Sequence, residues 1–180
     1  YLSDLLRHLA EHSLRTDGPF RLRSGLISDW YLDARRTTFD GRGSRLVAEA
    51  ILDVLDPSAD AVGGMTMGAD PMAVSTALVG SARGRALKAF SIRKQSKDHG
   101  TGGRLVGAVD PGDRVAILED TTTTGGALAE ALDVAQSHGL RVVQAIALVD
   151  RSGATTAELM AGRRVPYVAL VRPADLGVDE

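Results

Sequence analysis

At 180 residues, without cysteine and with a formal net charge of −2, the chain is long enough for one domain with a sizeable core. It lacks the residues for a disulfide framework, a thiolate metal site or a cysteine nucleophile, and its charge gives no global case for nucleic acid or a membrane surface. Hydrophobic residues at 44% and charged residues at 24% are those of a soluble globular protein. No apolar run approaches the roughly 20 residues that span a bilayer. The start, Tyr1-Leu-Ser-Asp-Leu-Leu-Arg-His-Leu, is amphipathic and lacks a leader's apolar core, which fits a cytoplasmic protein; without an initiator methionine, its true start is expected to lie further upstream.

Leu2, Leu5, Leu6 and Leu9 recur at helical spacing with Ser3 as a cap, and His8 and His12, one turn apart, read as surface residues of that helix. Residues 20–33 read as two short strands around Ser24-Gly25. A helix is predicted from Ser44 to about Leu55, ended by Asp56-Pro57-Ser58. A short strand over 60–63 follows, ending in Gly63-Gly64, then a helix opened by Asp70-Pro71 and running to about Gly80. Ala86–Ile92 reads as a strand, Arg93–Gly107 as a polar loop, Arg114–Leu118 as a strand and Thr124–His138 as a helix closed by Gly139. Arg141–Val149 is a strand, Ala154–Ala161 a helix and Tyr167–Val171 a last strand. Strands that alternate with helices and read as continuous Val/Ile/Ala/Leu predict an α/β fold: a parallel sheet of about five strands flanked by helices. There is no internal repeat or interdomain linker, so residues 1–180 read as a single domain, with 1–40 forming a small add-on and 41–180 the core.

The most informative stretch is Val115-Ala-Ile-Leu-Glu-Asp-Thr-Thr-Thr-Thr-Gly-Gly-Ala127. An apolar strand runs into the paired carboxylates Glu119 and Asp120, then into Thr121, Thr122, Thr123, Thr124, Gly125 and Gly126, and then into a helix. In an open α/β sheet ligands bind at the carboxyl ends of strands. Successive backbone N–H groups at a helix start favour a phosphate, threonine hydroxyls add donors, and glycine permits close approach. The two acids would repel that phosphate, so they must face something else: sugar hydroxyls or a divalent cation. A solvated acid pair ahead of an ordinary helix cap remains the plainer reading of either acid alone.

A second concentration of charge is Arg93-Lys94-Gln95-Ser96-Lys97-Asp98-His99-Gly100, followed by Gly102, Gly103 and Gly107. Cations among glycines suit a lid that closes over a polyanion, although a charge run is more usually a solvated loop. Gly63-Gly64-Met-Thr-Met-Gly-Ala-Asp-Pro71 is a second strand–loop–helix junction, Phe20-Arg-Leu-Arg-Ser-Gly25 a basic hairpin, and Val149-Asp150-Arg151 leaves an arginine just beyond the last long strand.

The acid-threonine-glycine stretch resembles the phosphoribosyl diphosphate (PRPP) motif of the type I phosphoribosyltransferases, and the 90–107 loop is similar to the catalytic loop of their orotate branch. The resemblance spans residues 20–151 and implies the type I phosphoribosyltransferase fold with a small N-terminal hood formed by the first 40 residues and the chain end. It implies that Glu119 and Asp120 hold the ribose hydroxyls and that Thr121–Ala127 wrap the 5′-phosphate. Arg93, Lys94, Lys97 and His99 would reach the diphosphate, with Lys94 serving a partner's site in a homodimer. Lys97, His99 and Asp120 would be the catalytic residues, Lys97 and His99 by neutralising the leaving group. Orotate would be held by Arg23, Tyr31, Thr123 and Arg151, the last as a bidentate carboxylate anchor. The implied cofactor is Mg²⁺, held mainly by PRPP and water, with no protein metal site; His8, His12 and His138 form no metal motif. Two departures stand out: Arg23 replaces a lysine, and Met67 stands where some relatives place one. The implied activity is transfer of ribose 5-phosphate from PRPP to orotate, giving orotidine 5′-monophosphate and diphosphate in pyrimidine synthesis. Another nucleobase as acceptor, or a PRPP-sensing regulator without turnover, remains open.

Overall fold

The computed structural model describes residues 1–96 and 103–179. A hood comes first. Helix α1 (Leu2–His8) runs on through a π-turn (Leu9–Ser13) into β1 (Leu14–Arg15), which pairs antiparallel with β4 (Tyr31–Leu32). Inside that pair sits the expected hairpin of β2 (Phe20–Arg21) and β3 (Ile27–Ser28). The short helix α2 (Arg35–Thr38) follows, then α3 (Gly41–Val54), whose start is capped by the Asp40 carboxylate accepting from the Gly43 N–H at 2.8 Å.

The core strands are β5 (Ala61–Met65), β6 (Lys88–Ile92), β7 (Leu105–Gly107), β8 (Arg114–Thr122), β9 (Arg141–Asp150) and β10 (Tyr167–Val171). They interleave with α4 (Asp70–Ala82), α5 (Gly126–Ser137) and α6 (Thr155–Gly162). The sheet order is β10-β9-β8-β5-β6-β7, with five parallel strands as the sequence predicts. The sixth, β7, is a correction. Residues 105–107 are not loop; they return along the edge of the sheet antiparallel to β6, with Leu105 opposite Ile92 and Gly107 opposite Phe90.

Strand residues alternate between two apolar layers, as the pleat requires. Val62, Ala116, Leu118, Ile146 and Leu148 meet Val47, Ile51 and Met72 of α3 and α4 on one face. Ala61, Val115, Ile117 and Ala145 meet Leu128, Leu132 and Met160 of α5 and α6 on the other. Thus α4 leaves β5 over one face and α5 leaves β8 over the opposite face. Neighbouring strands whose connections diverge in this way open a crevice at their carboxyl ends.

His8 is a further correction. It is buried at 4% exposure, not on the surface: Nδ1 lies 3.1 Å from the Thr37 hydroxyl and Nε2 3.0 Å from Asp40 Oδ2. The same carboxylate caps α3, so His8 locks α1 to the start of the core. The backbone bond from Gly43, and then His8, hold the Asp40 carboxyl below its ordinary pKa.

Candidate active site at the crevice between β5 and β8

The crevice is a cleft of about 570 Å³. Met65, Thr66, Met67 and Gly68 line it from the end of β5, Glu119 and Asp120 from the end of β8, Ala127 and Glu130 from α5, and Arg23, Arg35 and Lys94 from the hood and the end of β6. A second cavity, about 430 Å³, lies between the hood and the chain end against Ile27, Trp30 and Val178 and contains neither acid.

β8 runs farther than its apolar residues. Thr121 and Thr122 still pair with Val149 and Asp150, so the acids sit within the strand and not after it. Asp120 Oδ1 accepts the Thr121 N–H at 2.8 Å. Across the cleft, the β5–α4 loop, whose Thr66–Met67 peptide is cis, brings Gly68 against this carboxylate. A Cβ at Gly68 would stand 2.6 Å from Asp120 Oδ1, closer than real side chains approach, so glycine is what lets this loop meet the end of β8.

Glu119 is nearly buried, and that burial, reinforced by the Asp120 carboxyl beside it, pushes its pKa up to about 8. A carboxyl whose folded pKa is raised contributes stability that is fully present below its ordinary value and lost as pH rises through about 8. The melting temperature is therefore expected to fall progressively from about pH 5 to about pH 8, and Glu119→Gln to remove most of that fall. An unchanged pH slope in the variant would show that Glu119 is not the titrating group.

The threonines divide their tasks. Thr122 is buried; its hydroxyl accepts from the Gly125 N–H at 3.1 Å and lies 3.1 Å from the Thr156 hydroxyl of α6. Thr124 Oγ1 accepts from the Gly126 N–H at 3.2 Å. Thr123, Thr124, Gly126 and Ala127 are exposed, and Thr121 is half-buried. Gly125 takes φ +82°, and a Cβ there would lie 2.9 Å from Leu159 Cδ2, so the turn into α5 requires glycine. The loop bends at the head of α5 over Thr156, and the dipole of that helix favours an anion there. Thr156 continues inward: Ser152 Oγ lies 2.7 Å from its hydroxyl and 2.6 Å from Asp150 Oδ1. Asp150 Oδ2 accepts from the Tyr167 hydroxyl at 2.8 Å. Burial first, and then Asp150, push the Tyr167 pKa up and keep that donor protonated. This polar chain beneath the loop had no sequence signal beyond scattered hydroxyls.

Of the basic residues, Lys94 and Arg23 line the cleft, while Lys97 and His99 lie outside the described residues. Arg93 is tied to the returning chain: its N–H donates to Arg104 O at 2.7 Å and its guanidinium to Gly103 O at 3.4 Å. Arg104, not singled out by the sequence, donates back to Arg93 O at 2.9 Å and to Glu130 Oε1 of α5 at 2.6 Å. These bonds clamp the two ends of the basic segment beside the cleft.

Tyr31, Thr123 and Arg151 do not line the cleft. Arg151 leaves the end of β9, its N–H donating to Thr122 O at 2.9 Å, and its guanidinium lies 3.8 Å over the Trp30 ring. Trp30 is itself fixed by donating Nε1–H to Asp179 O at 2.8 Å, which joins hood and chain end. Half-buried there, Arg151 has its pKa lowered by desolvation. Trp30, buried in the hood, is thus the platform of this arginine. Tyr31 is part-exposed, its ring 6.0 Å from that of Phe20.

A parallel sheet with a hood, and an acid pair ahead of a threonine-glycine loop at the switch point, define a type I phosphoribosyltransferase. Family models give no match to the chain. The chain is 40% identical over 177 residues to orotate phosphoribosyltransferase of Streptomyces coelicolor, covering 98% of this chain and 97% of the relative. It superimposes with a TM-score of 0.82 and 32% identity on the Mycobacterium tuberculosis orotate phosphoribosyltransferase in complex with PRPP, covering 98% of this chain and 99% of that one. The adenine phosphoribosyltransferase of Leishmania donovani, at 13% identity and a TM-score of 0.66, shares the fold alone. The chain belongs to the orotate phosphoribosyltransferase family.

Proposed function

We propose that this cleft transfers ribose 5-phosphate from PRPP to orotate, giving orotidine 5′-monophosphate and diphosphate. The observation that carries the reading is Asp120 and Glu119 on the cleft wall directly ahead of the Thr123–Ala127 turn. That spacing offers carboxyl groups to ribose hydroxyls and a helix start to the 5′-phosphate of the same sugar. Orotate N1 would bond to the anomeric carbon as the carbon–oxygen bond to diphosphate breaks, and N1 would give up its proton. No covalent nucleophile is needed. The side chains bind, orient and balance charge: Arg151, beyond the cleft lining at the end of β9, on the orotate carboxylate, Arg23 over the base, and Lys94, Lys97 and His99 on the departing diphosphate.

The donor set also fits Mg²⁺. The cleft offers the hard carboxyl oxygens of Asp120 and Glu119, and the described residues contain no cluster of three or more acids or histidines that would cage a metal. Such an ion would rest mainly on PRPP and water, with Asp120 and Glu119 steadying the ribose hydroxyls around it. When bound, it supplies positive charge to the diphosphate. Orotate consumption, followed spectrophotometrically, should require both PRPP and Mg²⁺ and stop on adding a chelator. Persistent consumption with chelator would remove Mg²⁺ from the scheme.

A homodimer in the cytoplasm completes the reading. Val74 and Leu78 on α4 are 61% and 70% exposed, and Val106 on β7 adds to an apolar face beside β6, the strand that leads to Lys94. This is a surface for a second copy that would receive Lys94 in its own site. No helix among the described residues is long and apolar enough to cross a membrane. Leu78→Asp is expected to give a monomer by light scattering, with most activity lost. A monomeric wild type, or a fully active monomeric variant, would rule out the shared site.

A further inference from the structure

A polyanion in this cleft has to be met by cations, and the loop facing it brings none. Met67, 53% exposed on the cleft wall, is uncharged. Thr66 donates its hydroxyl to Asp70 Oδ2 at 2.5 Å. Asp70 is itself a carboxylate in the first turn of α4, where the helix start would otherwise favour an anion. Asp120 and Glu130 add negative groups on the other side. Against these, the described cations lining the cleft are Arg23, Arg35 and Lys94. If Lys94 serves the partner, Arg23 and Arg35 remain.

Arg35 had no part in the sequence reading, yet it is the most firmly set of the three. Its N–H and Nε donate to Asp33 Oδ1 at 3.1 Å and 2.9 Å, and Nη2 donates to Asp33 Oδ2 at 3.3 Å. The fork is thereby held at the start of α2 with Nη1 unspent in that pair. Asp33 chiefly, and Asp120 more weakly, raise its pKa, so the charge is permanent. A guanidinium pre-oriented by a carboxylate loses little freedom when it takes a phosphate oxygen.

We propose that Arg35, oriented by Asp33, is a diphosphate-binding residue of this cleft and supplies the charge that Met67 does not. The proposal rests on the reading of the cleft as the PRPP site. Calorimetry on the full chain tests it with two probes, PRPP and ribose 5-phosphate, which lacks the diphosphate. Arg35→Ala is expected to weaken PRPP by about tenfold or more, as for a lost hydrogen bond to a charged group, and to leave ribose 5-phosphate unchanged. Adding Met67→Lys to Arg35→Ala should recover part of the PRPP affinity, since a cation then returns to the same cleft. Circular dichroism should show each variant folded; if Arg35→Ala is not, Arg35→Lys is expected to fold and to show the same PRPP-selective loss in smaller measure. Wild-type PRPP affinity in the Arg35 variant, alongside a loss in Asp120→Asn, would overturn the proposal and leave the cleft assignment standing. Wild-type affinity in both variants would overturn the cleft assignment itself. Equal weakening of both probes, or no recovery with Met67→Lys, would overturn the diphosphate role of Arg35.

Discussion

Lys97→Ala is expected to lower turnover on the order of a hundredfold or more, as for loss of a transition-state charge contact, with substrate affinities changed far less. Negative charge gathers on the diphosphate as its bond to the sugar breaks, so a cation there acts more strongly on the transition state than on bound PRPP. Lys97 falls outside the described residues. Lys94 lines the cleft, and Arg93 and Arg104 clamp the two ends of the segment. Steady-state kinetics separate the outcomes. A fall in kcat with the PRPP KM nearly constant is predicted; an unchanged kcat would remove Lys97 from the chemistry.

Arg151→Ala should raise the orotate KM by roughly thirtyfold or more, on the scale of breaking a buried charge pair, and leave PRPP affinity nearly intact. The arginine is half-buried and braced face-on by Trp30 at 3.8 Å. Partial desolvation strips its competing water contacts, so a carboxylate that pairs with it gains more than it would at an open surface. Because the Arg151 N–H also bonds to Thr122 O, truncation beyond Cβ leaves the phosphate loop's backbone support in place. Equal losses for orotate and PRPP would show that Arg151 supports the loop and does not anchor the base.

The elements that position the site were legible where apolar pattern and punctuation coincide. Val115–Leu118 runs straight into Glu119-Asp120 and a helix opened by Gly125, and the structure keeps that order. Polar strand residues were not legible: Thr121 and Thr122 belong to β8 only because Val149 and Asp150 lie beside them. Leu105–Gly107 is too short to show a period, and its place on the sheet edge comes from pairing with β6. His8 did leave a signal, since it stands three residues after the buried Leu5 and directly before the buried Leu9, on the inward face of α1. The support of Arg151 by Trp30 and the Thr156 hydroxyl of α6 beneath the Gly125 turn are tertiary meetings between distant segments. Arg35 sits in no motif at all; the cleft lining and the bonds to Asp33 distinguish it from Arg36, its equally exposed neighbour.

The central claim is that one cleft takes PRPP and hands its ribose 5-phosphate to an acidic pyrimidine. The most direct measurement is diphosphate release by the purified protein with PRPP and Mg²⁺, run in parallel with orotate, uracil and adenine. The account predicts one diphosphate released per orotate consumed, and negligible release with uracil or adenine, neither of which offers Arg151 a carboxylate. Release with uracil or adenine at the orotate rate, or none with orotate, would contradict it.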